Sequence, residues 1–178
     1  MSERRQSSYP TTALYRKRPM ALQLDRTEWR LVPLRLVIGF GFVAHGYAKL
    51  SRGPEDFAAI LTSLGVPQPQ FMAWATSLLE FVGGLSIMAG AFVVPLTFPL
   101  AFVMLTAMLS VHLQYGFSSI RLRAVTSAGA EFGPIGYELN LLYIAGLLTL
   151  ALSGSGRFSV DHWLVQQRHR DPRRTASC

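Results

Sequence analysis

Cysteine is almost missing from this chain, since only Cys178 among its 178 residues is a cysteine. A disulfide within the chain, a CxxC redox pair and a thiolate metal cluster are therefore excluded. We predict no metal site. Any redox chemistry must use groups other than a dithiol of this chain.

Charged residues are also scarce. They make up 15% of the chain, whereas 50% is apolar, a balance typical of a membrane protein with several spans. The net charge of +7 comes from the two ends: seven of the 17 Lys and Arg precede Arg35 and five follow the last apolar run. No basic patch is interleaved with aromatic residues, which argues against a nucleic-acid partner. Basic flanks around apolar runs instead indicate topology and place both termini in the cytoplasm.

A secretory signal is not apparent either. The first thirty residues are polar and basic, lack a short apolar core, and contain Pro10 and Pro19. We predict a disordered basic cytoplasmic tail over residues 1–30, followed by an uncleaved signal anchor. Because this tail is rich in Arg and poor in acids, a mitochondrial transit peptide is the alternative.

What the chain does contain is long apolar runs. Four of them predict transmembrane helices at about 31–50, 71–93, 96–115 and 136–152, with a second basic tail at 165–178. The predicted fold class is therefore all-α, a four-helix transmembrane bundle in the plasma membrane. The alternating pattern at 120–125 predicts a short strand or extended arm.

A short amphipathic helix is predicted between the first two spans. Pro54, Glu55 and Asp56 are typical of a helix start, and Gly65 is typical of a helix end. The apolar residues between them recur at helical spacing: Phe57, Ile60, Leu61 and Leu64.

The first span carries three ionisable side chains on one stripe. At about 100° per residue, Lys49 lies about 40° from Arg35, and His45 about 80°. Charges in hydrocarbon are costly, so this stripe must face protein or a wet cavity. Glu80 is the one charge of the second span, and its face is built of small residues that favour a close helix contact: Ala73, Ser77, Gly84 and Ala91.

Depth in the membrane groups most of the ionisable residues together. At about 1.5 Å per residue, His45 lies about 21 Å above the cytoplasmic side, and Glu80 lies about 14 Å below the outer side. His112 ends an ascending helix and Glu138 begins a descending one. We therefore predict that His45 and Lys49 meet Glu80 and Glu138 in an outer-half polar site.

Two further side chains have predicted positions. Arg35 lies near the cytoplasmic face and is expected to extend to a lipid phosphate. Asn140 points about 200° away from Glu138, so we expect Glu138 inward and Asn140 at a helix contact or at headgroup level.

Each candidate has a structural alternative to a functional role. Glu80 could fix helix packing through a salt bridge with Lys49 or Arg35. His45 could relay protons or bind a quinone carbonyl, or simply bond to Glu80 or a backbone carbonyl. His112 could be a solvated histidine near the interface. Together His45 and His112 could ligate a haem, but nothing else in the chain indicates a porphyrin pocket.

Several motifs in order resemble those of a known family. They are Phe42-Val-Ala-His45-Gly46-Tyr-Ala-Lys49 after Arg35, Leu64-Gly65-Val66-Pro67, Leu79-Glu80-Phe-Val-Gly83-Gly84, Val111-His112, Gly136-Tyr137-Glu138-Leu139-Asn140-Leu-Leu-Tyr143, and Ser153-Gly154-Ser155-Gly156-Arg157-Phe158-Ser159-Val160-Asp161. Over about residues 31–163, the chain resembles the DoxX family of small four-helix membrane proteins.

The resemblance implies an oxidoreductase or a membrane subunit of a redox complex. Some relatives belong to a thiosulfate–quinone oxidoreductase, and others are thought to anchor partners that handle thiols or superoxide. The hypothesis is thus a quinone-like ligand in the outer-half site, with His45, Glu80 and Glu138 as candidate catalytic residues and Lys49 and His112 as candidate ligand-binding residues. These five are candidates by position and chemistry.

Two other function classes remain open: a non-catalytic scaffold for a redox or detoxification partner, and a small transporter. The transporter would require a homo-oligomer, because four short helices enclose little space. Expected partners are the lipid bilayer and a redox-enzyme protein.

Overall fold

The computed structural model of the chain describes residues 29–170, with side chains to residue 167. Most of the predicted tail at 1–30 and most of that at 165–178 lie outside these residues. The described elements are α1 (Leu31–Arg52), α2 (Pro54–Ser63), α3 (Pro69–Ala89), α4 (Val93–Ala107), β1 (Leu122–Thr126), β2 (Gly129–Phe132), α5 (Glu138–Ser153) and α6 (Val160–Arg170). A π-helical turn at Met108–His112 and a 3-10 turn at Leu113–Tyr115 extend α4.

Three of the described helices are long and apolar enough to cross a membrane: Leu31–Arg52, Pro69–Ala89 and Val93–Tyr115. The fifth helix, α5, is apolar but has only 16 residues. Many large apolar side chains on the spans are exposed in the isolated protein, among them Val37, Phe98 and Phe102. The chain is therefore a mostly helical membrane protein whose exposed apolar surface contacts lipid.

Close packing of α1 against α3 depends on glycines. A Cβ on Gly46 would lie 2.5 Å from the Phe81 backbone nitrogen, and one on Gly84 would lie 2.6 Å from the Gly39 carbonyl oxygen. The two backbones therefore touch where a side chain would normally separate them. This confirms the predicted helix contact along the small-residue face of Glu80, although Ala91 lies beyond the end of α3.

An apolar core joins the helices, and Asn140 adds a polar contact within it. The core residues are Ile38, Phe42, Ile87, Val93, Leu100, Leu147 and Leu150. The buried Asn140 side chain donates from Nδ2 to the Met104 carbonyl across the α4–α5 contact, at 3.3 Å. The prediction of Asn140 at a helix contact is confirmed.

The link between α3 and α4 comes earlier than the sequence predicts. Span two is predicted to run to Val93, but α3 ends at Ala89, where Gly90 adopts a left-handed conformation with φ 73°. Phe92, with φ 52°, precedes α4. Asp161, which is far away in the sequence, stabilises this turn by direct hydrogen bonds. Its Oδ1 accepts from the Phe92 N–H at 2.8 Å and its Oδ2 from the Val93 N–H at 3.3 Å. Pro99 consequently lies inside α4 rather than near its start.

We expect Asp161→Ala to lower the free energy of unfolding by about 1–2 kcal/mol, because it removes both acceptors at the start of α4. Asp161→Asn keeps one acceptor and should lose less. Stability measured by unfolding in mixed micelles checks this order. Equal losses in the two variants would contradict the capping role.

The prediction for Arg35 is wrong. Its side chain is only 3% exposed and does not extend to a lipid phosphate. The guanidinium donates to the Met88 carbonyl from Nη2 at 3.1 Å and to the Ser155 carbonyl from Nη1 at 2.5 Å. Those carbonyls lie at the C-terminal ends of α3 and α5, where helix dipoles favour a cation. Arg35 therefore joins three helix ends.

The connections between helices contain the predicted amphipathic helix and an unpredicted hairpin. α2 begins at Pro54, has Glu55 and Asp56 in its first turn, and is followed by Gly65 with φ 72°. Strands β1 and β2 form an antiparallel two-stranded sheet between α4 and α5. The short strand or extended arm predicted at 120–125 is thus one strand of a hairpin, and the described residues are not all-α.

Candidate functional site

A buried ion pair joins α1 to α3. Lys49 Nζ lies 2.7 Å from both carboxylate oxygens of Glu80. Glu80 is 1% exposed, whereas the Lys49 side chain is 23% exposed. The predicted contact between these two residues is therefore present. Pairing with a cation lowers the cost of a buried carboxylate in a membrane span. Their functional role stays a prediction.

Helix packing determines where this pair forms. Gly46 lets the α1 backbone approach α3 at Ser77 and Phe81, just beside Glu80. Lys49 lies almost one turn beyond Gly46, so its long side chain reaches Glu80. From α2, the Phe57 ring lies with its centroid 4.4 Å from Lys49 Nζ, a cation–π contact. The amphipathic helix therefore covers one side of the ion pair.

His45 lies next to this pair but is not part of it. Gly41, His45 and Lys49 follow one another at i, i+4 and i+8, which places them in one row along α1. The His45 side chain is exposed. Within the part of the chain that the structure describes, it forms no ion pair with Glu80 or Glu138. An exposed imidazole within a membrane span is energetically costly unless a polar group meets it.

Tyr143 is a candidate that the sequence analysis did not single out. Its hydroxyl lies against Gly41, where a Cβ on residue 41 would overlap it. Its ring packs edge-on against Phe42, with centroids 5.3 Å apart. The side chain is half-buried, and it lies one helical turn from His45. Gly41, in the same row of α1 as His45 and Lys49, was the one sequence feature that could have indicated a bulky side chain packed against α1 at this position.

His112 and Glu138 lie in a different group. His112 Nδ1 is 3.0 Å from the Ile135 carbonyl oxygen, and Glu138 Oε2 accepts from the Ser119 N–H at 3.0 Å. Each contact ties the segment between α4 and α5 to the end of one of these two helices. Among the described side chains neither residue pairs with Lys49. The predicted five-residue site is thus divided: one group holds Lys49, Glu80 and His45, and the other holds His112 and Glu138.

The first group can act on a ligand in a limited number of ways. Lys49 is a donor with partial access to the surroundings, and its charge is balanced by Glu80. His45 supplies an imidazole that donates or accepts a hydrogen bond. Tyr143 supplies a hydroxyl that donates or accepts a hydrogen bond. These groups suit a ligand that carries carbonyl or hydroxyl oxygens and enters from the membrane.

Comparison with known proteins identifies the family. The family model described as DoxX matches residues 31–113. An uncharacterized protein of Haemophilus influenzae is 30% identical over 131 residues, which cover 72% of this chain and 86% of that relative. The chain belongs to the DoxX family. No solved structure matches it.

The DoxX match includes the ion pair and ends before α5. It covers His45, Lys49 and Glu80, and it extends through His112 at the end of α4. Glu138 and Tyr143 lie beyond it. For this DoxX chain the family therefore supports a membrane protein.

Proposed function

We propose that this DoxX protein is a four-span protein of the bacterial plasma membrane, with α5 as the fourth span and both termini in the cytoplasm. Sixteen residues of helix extend about 24 Å, shorter than the ~30 Å hydrocarbon core, a mismatch that local thinning accommodates. The packing of α5 along α4, through Asn140 and Leu147, supports this arrangement. The basic residues at both chain ends support the orientation.

We further propose that the protein is a membrane subunit of a redox system and holds a quinone-like molecule between α1 and α5. The observation that carries this proposal is the exposed His45, which lies within a membrane span between Lys49 and the Gly41–Tyr143 contact. An ionisable side chain facing hydrocarbon is costly unless a polar group meets it. A quinone head provides carbonyl oxygens at the end of an apolar tail, and so suits both the imidazole and the surrounding lipid.

Each residue of this group would have a different role in binding the quinone. His45 and Tyr143 would donate hydrogen bonds to the carbonyl oxygens, and Lys49 would add a positive charge nearby. Glu80 would hold that charge in place. Reduction of a quinone consumes two electrons and two protons; the electrons would come from a redox partner protein, and the protons would enter from the outer side through His45 or Glu138.

The test is binding of a short-chain ubiquinone analogue to the purified protein in lipid nanodiscs, measured by titration calorimetry. We expect saturable binding that weakens roughly fivefold to tenfold in His45→Leu and in Tyr143→Phe, because each loses about one hydrogen bond.

Tyr47→Phe is the matched control. It removes the same hydroxyl from an exposed tyrosine of α1 that points away from His45. Its binding should equal that of the parent protein. Absence of saturable binding, or equal weakening in all three variants, would contradict the proposal.

A further inference from the structure

The segment between α4 and α5 forms one continuous antiparallel ribbon. At its base, Tyr137 N–H donates to the Gly116 carbonyl and Gly136 N–H to the Ser118 carbonyl, both at 3.1 Å. Further out, Gly133 N–H donates to the Arg121 carbonyl at 2.8 Å, and β1 then pairs with β2. Both ends of the ribbon therefore start at the ends of helices at the membrane boundary. Every residue of the two strands is exposed in the isolated protein.

The register gives the hairpin one apolar face. Leu122 pairs with Phe132 and Val125 pairs with Ala130. Since Ala130 and Phe132 are two residues apart on β2, both pairs lie on the same face. The exposed fractions of the three large side chains are 59% for Leu122, 75% for Val125 and 61% for Phe132.

The opposite face is more polar. On it Ala124 pairs with Glu131 and Thr126 pairs with Gly129. Its one acid, Glu131, therefore points away from the apolar face. An isolated two-stranded hairpin is marginally stable in water, so an apolar face of this kind needs a cover.

Two features of the ribbon match a bilayer as that cover. Exposed apolar side chains recur along the chain between α4 and β1, at Leu113, Phe117 and Ile120. The ribbon also carries two arginines, Arg121 and Arg123, against one acid, Glu131, a net positive charge that an anionic lipid surface attracts. Arginine stems also pack on apolar surface while their charged ends remain at the headgroups.

We propose that the ribbon lies flat on the bilayer surface. Its apolar face, formed by Leu122, Val125, Ala130 and Phe132, enters the headgroup–acyl boundary. The Glu131 face is in water, and the positive charge of Arg121 and Arg123 attracts anionic headgroups. The ribbon thus acts as an interfacial anchor for the outer ends of α4 and α5.

The single cysteine makes a direct test practical. In a Cys178→Ser background, Val125→Cys and Thr126→Cys place a nitroxide label on opposite faces at adjacent positions. The full chain is reconstituted in nanodiscs of phosphatidylcholine and phosphatidylglycerol. Relaxation of each label is then measured with oxygen, which concentrates in lipid, and with a water-soluble nickel chelate.

We expect the label at position 125 to show a several-fold higher oxygen-to-nickel relaxation ratio than the label at position 126. Equal and nickel-dominated relaxation at both positions would show that the ribbon stands away from the membrane, which would overturn the proposal. Protection of position 125 from both reagents would also overturn it, because a second copy or a partner protein would then cover the face.

Discussion

Replacing Lys49 with methionine is expected to lower the free energy of unfolding by about 3 kcal/mol. The substitution leaves the Glu80 carboxylate, 1% exposed, without its charged partner. The expected loss lies at the lower end of the range for broken buried pairs because the Lys49 side chain is 23% exposed. Reversible unfolding in mixed micelles measures the change.

The double variant Lys49→Met with Glu80→Met separates a missing partner from lost packing. Apolar residues of similar volume often replace a buried pair at little cost, so the double variant should regain most of the stability lost in Lys49→Met. Glu55→Gln is the matched surface control: Glu55 accepts a long hydrogen bond, 3.4 Å, from Gln70 in an exposed setting, and its loss should cost less than about 0.5 kcal/mol. Losses that simply add in the double variant would contradict a coupled pair.

The second large effect is expected at Gly84. A Cβ there would lie 2.6 Å from the Gly39 carbonyl oxygen and 2.8 Å from the Val43 nitrogen. Both are backbone atoms, which cannot relieve the overlap by a change of rotamer. Gly84→Ala should therefore separate α1 from α3 and cost about 2–3 kcal/mol. Because the ion pair spans the same contact, a weaker response to Lys49→Met is expected in the Gly84→Ala background.

Gly83→Ala provides the adjacent control on the same helix. A Cβ at Gly83 would lie 3.5 Å from the Leu100 side chain, an ordinary contact. Alanine also favours a helix over glycine by about 1 kcal/mol. We expect unchanged or slightly raised stability in the same unfolding assay. If the two alanine variants lost stability equally, close backbone contact at Gly84 would not be the cause.

The contact between Lys49 and Glu80 was predictable because two separate rules indicated it. Intramembrane charges need partners, and the small residues around Glu80 predict the helix that approaches it. Each rule uses only spacing along one helix. The helix wheel of α1, the small-residue face of α3 and the predicted depth of both side chains together indicated the contact.

Other contacts depend on information that the sequence pattern does not contain. Arg35 donates hydrogen bonds to the carbonyls of Met88 and Ser155, which are 53 and 120 residues away. Every residue has a backbone carbonyl, so the residue types do not show which carbonyls will accept from Arg35. Depth estimates placed Glu138 at the level of Lys49, but depth says nothing about which way a helix is turned or which neighbour it faces. Tyr143 is uncharged, so the cost of placing charges in a membrane gives no indication of its position.

Binding of a quinone-like molecule between α1 and α5 can be tested by photolabelling with an azidoquinone in nanodiscs, followed by mass spectrometry of the labelled peptides. We expect saturable labelling within residues 41–49 and 138–146, displaced by excess unlabelled ubiquinone analogue and reduced in His45→Leu. Labelling that is not displaced, or that is confined to other segments, would contradict it.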